Sequence, residues 1–191
     1  MRASLITCLL LFGCMAGCAS QSSPKPVEAL DERTGVTVGA LKEPIELLPS
    51  GQISAFVSAK HLSFAYVGPV EWNRSGDLSY GLWVNIVPGS DEQPGDIRAS
   101  QALTLILDDG PVALTLVEAP RLGREPYKQV VSWGQTAYFD LSAESLRRMA
   151  ASSKLELAVR AAGGSIMHFA PTQDTRPTLT HYLEARGITR D

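Results

Sequence analysis

Ala102-Leu103-Thr104-Leu105-Ile106-Leu107-Asp108-Asp109-Gly110-Pro111-Val112-Ala113-Leu114-Thr115-Leu116-Val117 is two apolar runs of strand length flanking Asp-Asp-Gly-Pro. Asp-Gly between such runs is a strong local hairpin signal, because it suits the tight turns whose twist matches that of paired strands. Both runs are apolar on both sides of an extended chain, which places them centrally in a sheet. A tight turn joins antiparallel neighbours, so the fold follows from how often the pattern recurs.

It recurs along the chain. Leu62–Val70 and Leu78–Val87 flank Asn73-Arg74-Ser75-Gly76-Asp77, a turn-forming cluster, and predict a second hairpin. Gln129–Trp133 and Thr136–Leu141 predict a third, across Gly134-Gln135. Lys154–Arg160 alternates Leu155, Leu157 and Val159 with Lys154, Glu156 and Arg160, a strand with one wet face. Gly163-Gly164 turns the chain and Ser165–Phe169 returns. Shorter extended segments are expected at Gly35–Leu41, Ile45–Leu48 and Ile53–Val57.

Two helices interrupt the strands. Ser142–Ser152 has a serine N-cap, Glu144 in its first turn and a stripe of Leu146, Met149 and Ala150. Pro177–Arg186 starts on proline, carries Leu179, Tyr182 and Leu183 inward, and stops at Gly187. The expected class is therefore mainly β with two short helices, an antiparallel β-sandwich or partly open barrel.

The N-terminus carries a different signal. Arg2 is the only side-chain charge before an apolar run, Leu5–Phe12, which is too short to span a bilayer and suits the core of a secretory signal. Met15-Ala16-Gly17-Cys18 follows and resembles a lipobox, the processing motif of bacterial lipoproteins, with Met15 where that family usually has Leu. The resemblance implies that 1–17 is a cleaved signal and that Cys18 becomes a diacylglyceryl-modified, N-acylated first residue. Ala19 rather than Asp follows, which in that family favours the outer membrane, with the body facing the periplasm. On this reading 18–33 is a lipidated, Pro-punctuated tether and 34–191 one β-rich globular domain.

Composition agrees with export and narrows the chemistry. Cys8, Cys14 and Cys18 are the only cysteines in 191 residues. The body thus has no disulfide, thiol nucleophile or Cys-based metal site, and its core must hold it. Loss of Arg2 takes the net charge from −3 to −4, with no basic stripe of the kind nucleic acid requires.

His61, His168 and His181 do not fall at ligand spacing, and no Gly-x-Ser-x-Gly elbow or Gly-rich phosphate loop occurs. Asp108-Asp109 reads as turn chemistry rather than a catalytic pair. No residue is assigned to catalysis, a cofactor or a metal.

The remaining concentration is Trp72, Arg74, Tyr80 and Trp83 around one expected turn. Aromatic and Arg side chains are the usual anchors of binding surfaces, though the same aromatics also suit packing between sheets. The function expected is a lipid-anchored envelope protein with a noncatalytic binding or assembly role. Its partners would be the membrane, through the N-terminal lipid, and an envelope protein. The alternative is a hydrolase-like lipoprotein enzyme whose site forms only in the fold.

Overall fold

The computed structural model describes residues 26–51, 61–90, 93–99, 101–118, 122–123 and 125–188. Cys18, the signal segment and the expected strand Ile53–Val57 lie outside the described residues. The chain forms β1 (Pro26–Asp31), β2 (Val36–Leu41), β3 (Ile45–Pro49), β4 (Phe64–Arg74), β5 (Asp77–Val87), β6 (Leu103–Leu107), β7 (Gly110–Ala113), β8 (Thr115–Val117), β9 (Gln135–Asp140), α1 (Ala143–Ala151), β10 (Glu156–Arg160), β11 (Ile166–Ala170) and α2 (Arg176–Ala185). Every strand pairing is antiparallel, so the expected class is the observed one.

The strands run β7-β6-β10-β11-β3-β4-β5-β9-β8, with β2 also on β4 and β1 on β2. The two ends of this order, β7 and β8, are separated in the chain by Leu114 alone, which is buried. One stretch of chain therefore leaves the last strand of one layer and becomes the last strand of the other, and the sheet nearly closes into a barrel. At the opposite corner β3 itself joins the layers, pairing with β4 on one edge and β11 on the other. Ala40 faces Val70 and Ile45 faces Val67 on the same edge of β4. Five steps on one strand thus match three on the other, a bulge of two residues that lets β3 bend away to meet β11 through Pro49↔Phe169.

The second expected hairpin is β4–β5. Arg74 pairs with Asp77, and Ser75 and Gly76 take φ 55° and 94°, the positive pair of a two-residue hairpin turn. In the opening hairpin, Leu107 pairs with Gly110 and the positive φ falls on Gly110 at 125°. Only β6 is central there. β7 and β8 are half exposed at the closing seam, because the second apolar run divides at Leu114.

The third expected hairpin does not form. Gln129–Trp133 is irregular, and β9 pairs instead with β5 along its length and with β8 at Tyr138–Asp140. The folded body also begins earlier than residue 34, since Pro26–Asp31 pairs along all of β2.

Leu47, Ala65, Val67, Val84, Ile86, Leu103, Leu105, Leu157, Val159 and Phe169 are buried on the inner faces. Both helices lie against each other, and their Leu146, Met149, Leu179 and Tyr182 join this core. Ser142 caps α1 by accepting from Ser145 N–H at 3.0 Å. At its other end Ser152 Oγ accepts from Asp108 N–H at 2.9 Å, while Asp108 Oδ2 accepts from Ser153 N–H at 2.6 Å. Arg148 meets Asp109 with two hydrogen bonds, of 2.7 and 2.9 Å. The Asp108-Asp109 turn thus locks the β6–β7 hairpin to α1, as turn chemistry requires.

Candidate functional site: a cleft at the barrel seam

Alternation along β4, β5 and β9 puts Gly68, Trp72, Gly81, Trp83 and Tyr138 on the outer face of the first layer. An outer face normally meets water, yet Trp72 and Trp83 are only 5% and 1% exposed. The cover over Trp83 is a strap of irregular chain, residues 125–134. Its Tyr127 packs against Trp83 with the rings tilted by 40° and their centroids 5.1 Å apart. The Tyr127 hydroxyl accepts from Leu41 N–H at 2.9 Å and donates to Pro69 O at 2.8 Å, so it is stitched to β2 and β4 together. Tyr138 tilts against Trp72 at 5.6 Å.

The four residues read as a binding surface are therefore dispersed. Trp83 lies beneath Tyr127 and Trp72 lies against Tyr138, and both are buried. Tyr80 points to the inner side beside Glu71, its cross-strand partner, and Arg74 is exposed at the tip of the hairpin. Trp83 does stand opposite Tyr80, as alternation requires, but a covering layer meets it there instead of solvent.

What the strap leaves open is more informative. A cleft of about 570 Å³ lies over β5, β8 and β9; Tyr138 lines it, with only the margins of the buried Trp83 and Tyr127 reaching it. Leu116 and Val117 form one wall, with Leu116 44% exposed. Arg98, Gln129 and Thr136 form the other, and Glu118 and Glu125 bring carboxylates to the rim. The Tyr138 hydroxyl donates to Glu125. Burial first, and that carboxylate second, push the phenol far above its ordinary range, so it stays protonated and a donor. Burial likewise raises Tyr127.

The cleft exists because the barrel closes unevenly. At one end main chain closes it, through Leu114. At the other, Gln93–Arg98 bridges the layers. Gly95 N–H donates to Arg160 O at 2.8 Å on the β10 side. Toward β9, the Gln135 side chain accepts from Ile97 N–H at 3.1 Å and donates to Gly95 O at 3.2 Å, and Arg98 donates to Thr136 O at 3.0 Å. Side chains thus replace a ladder, and the opening between them and β8 is the cleft.

Two smaller clefts flank the strap, one against β1 and β2 and one against the β2–β3 connection and β4. Val27, Val38 and Ala40 line one; Tyr66, Lys128 and Val130 line the other. Glu125 lines all three.

Polar pairs elsewhere stand apart from these clefts. Ser90 Oγ lies 2.7 Å from His61 Nδ1. His168 meets Glu156 on the outer face of the second layer. Among the described residues no three His, Cys, Asp or Glu side chains group as a metal site, and no helix is long and apolar enough to cross a membrane.

Sequence reading missed Arg98, Glu125, Tyr127, Gln129 and Gln135. Tyr127 and Gln135 act on partners 38 to 86 positions away, so no local spacing announces them.

Comparison with known proteins yields no relative: no family model, curated protein or solved structure matches the chain.

Proposed function

We propose that this chain is a lipid-anchored protein of the bacterial envelope, held through Cys18 in the outer membrane and facing the periplasm, whose barrel is a noncatalytic binding or assembly module. The observation that carries the binding role is the seam cleft. It is lined by the half-buried Tyr138, the exposed aliphatic Leu116 and charges of both signs, Arg98 with Glu118 and Glu125. Apolar surface with a few polar groups around it is what a recognition site needs. Its breadth and openness suit a segment of a protein partner.

A photo-crosslinking residue at Leu116, in cells, tests the binding role, with Ile166 on the opposite layer as control. A discrete product from position 116 that is absent from position 166 supports the role. No product from positions 116, 118 or 129 ends it. The anchor is tested separately, by the intact mass of the membrane-extracted protein and by the fractionation of Cys18→Ser. An unlipidated chain starting at Ala19 or later would remove it.

A second reading, a hydrolase-like lipoprotein, draws on the Ser90–His61 contact, since a serine beside an imidazole is the first requirement of an activated nucleophile. Labelling by a fluorophosphonate probe, lost in Ser90→Ala, would support it.

A further inference from the structure

We infer that the corner of the barrel where β1 begins is its bilayer-facing side and that a phospholipid surface occupies it; this rests on the lipid anchor at Cys18. The first support is reach. Seven residues separate Cys18 from Pro26, so eight steps span at most ~28 Å when extended and roughly 16 Å as a flexible coil. A domain of this size is about 40 Å across. The acyl chains therefore keep the β1 corner near the interface and the far side away from it.

The second support is what the corner carries. Pro26 pairs with Leu41, and Lys42 comes next. Lys42 lines both of the smaller clefts, one beside Val27 and the other beside Lys128 and Val130. Val27 and Val130 are 42% and 48% exposed. Exposed aliphatic side chains and Lys are among the types that seat at headgroup level. Five carboxylates, Glu28, Asp31, Glu43, Glu46 and Glu125, line these clefts beside Lys42 and Lys128. The corner is therefore net acidic and anionic headgroups do not attract it; apolar contact and the short leash set the orientation. The seam cleft lies across Tyr127 from this corner and stays open to a partner.

The chain has no cysteine after residue 18, so Val130→Cys and Ile166→Cys each give one labelling site in the full, processed protein. Both positions are exposed. In vesicles of phosphatidylethanolamine and phosphatidylglycerol, a fluorophore at 130 should be quenched by spin-labelled lipid at least about twofold more than one at 166. Equal quenching at the two positions, in protein whose mass shows its acyl chains, overturns the orientation and leaves the anchor standing. A mass without acyl chains, with neither label quenched, removes both.

Discussion

The ring of Tyr127 occupies the space that a side chain at Gly68 would need: a Cβ there would sit 2.7 Å from the phenolic oxygen and nearer still to the ring carbons. Glycine at 68 is what allows the strap to lie flat on β4. Gly68→Ala should therefore destabilise the protein by about 1–3 kcal/mol through overpacking. Tyr127→Phe keeps the ring but strands Leu41 N–H and Pro69 O in a buried place, for roughly 2–4 kcal/mol. Urea denaturation of both variants checks this; a midpoint unchanged in either would mean that the strap is not fastened to the sheet.

Gln135 holds the open end of the seam with one side chain. Gln135→Leu should lose about 1–3 kcal/mol, because Ile97 N–H and Gly95 O lose their partner. The effect should be concentrated locally. Amide exchange at Ile97 should quicken more than exchange in β4 or β5, and equal acceleration everywhere would contradict a local latch.

Arg186 reaches from the end of α2 to Glu71 at 3.2 Å and to Glu28 on β1. The two carboxylates differ sharply in burial, with Glu71 3% and Glu28 58% exposed. Arg186→Met should cost about 3 kcal/mol or more, since it leaves a buried carboxylate without its cation. Glu28→Gln should cost below about 1 kcal/mol. Combining Arg186→Met with Glu71→Gln should recover much of the loss. A double variant no more stable than Arg186→Met alone would refute the pairing.

Asp108 accepts from Ser153 N–H and Oγ, and these bonds, the backbone one first, hold its carboxyl below the ordinary value. A depressed folded-state value stabilises above the unfolded pKa of about 3.9 and is lost as pH falls through the folded value. Asp108→Asn should therefore lower the melting temperature at pH 7, and the gap to the parent protein should narrow below about pH 4. A gap that widens on acidification would reverse the assignment.

Local signals in the chain were legible where neighbours in sequence are neighbours in space. Ser75-Gly76 turns β4 into β5, Ser142 and Ser152 bound α1, and Gly187 follows α2, each by chemistry acting within a few residues. The expected helix 177–186 differs from the observed 176–185 by one position. What failed depended on distant partners. Gln129–Trp133 looks like a strand, but β8 already holds the Tyr138–Asp140 edge of β9 that a hairpin would need. Val112–Val117 looks like one central strand, but half of it belongs to each layer. From β5 alone Trp83 is either exposed or covered by a further layer, and a tyrosine 44 positions later decides for cover.

Leu114 has a consequence for how the molecule comes apart. Because the residues on either side of it serve different layers, neither layer can detach without pulling on the other, and β3 imposes the same condition across the barrel. Loss of structure should then be all-or-none, with melting followed by Trp fluorescence and by amide signals superimposing on one curve.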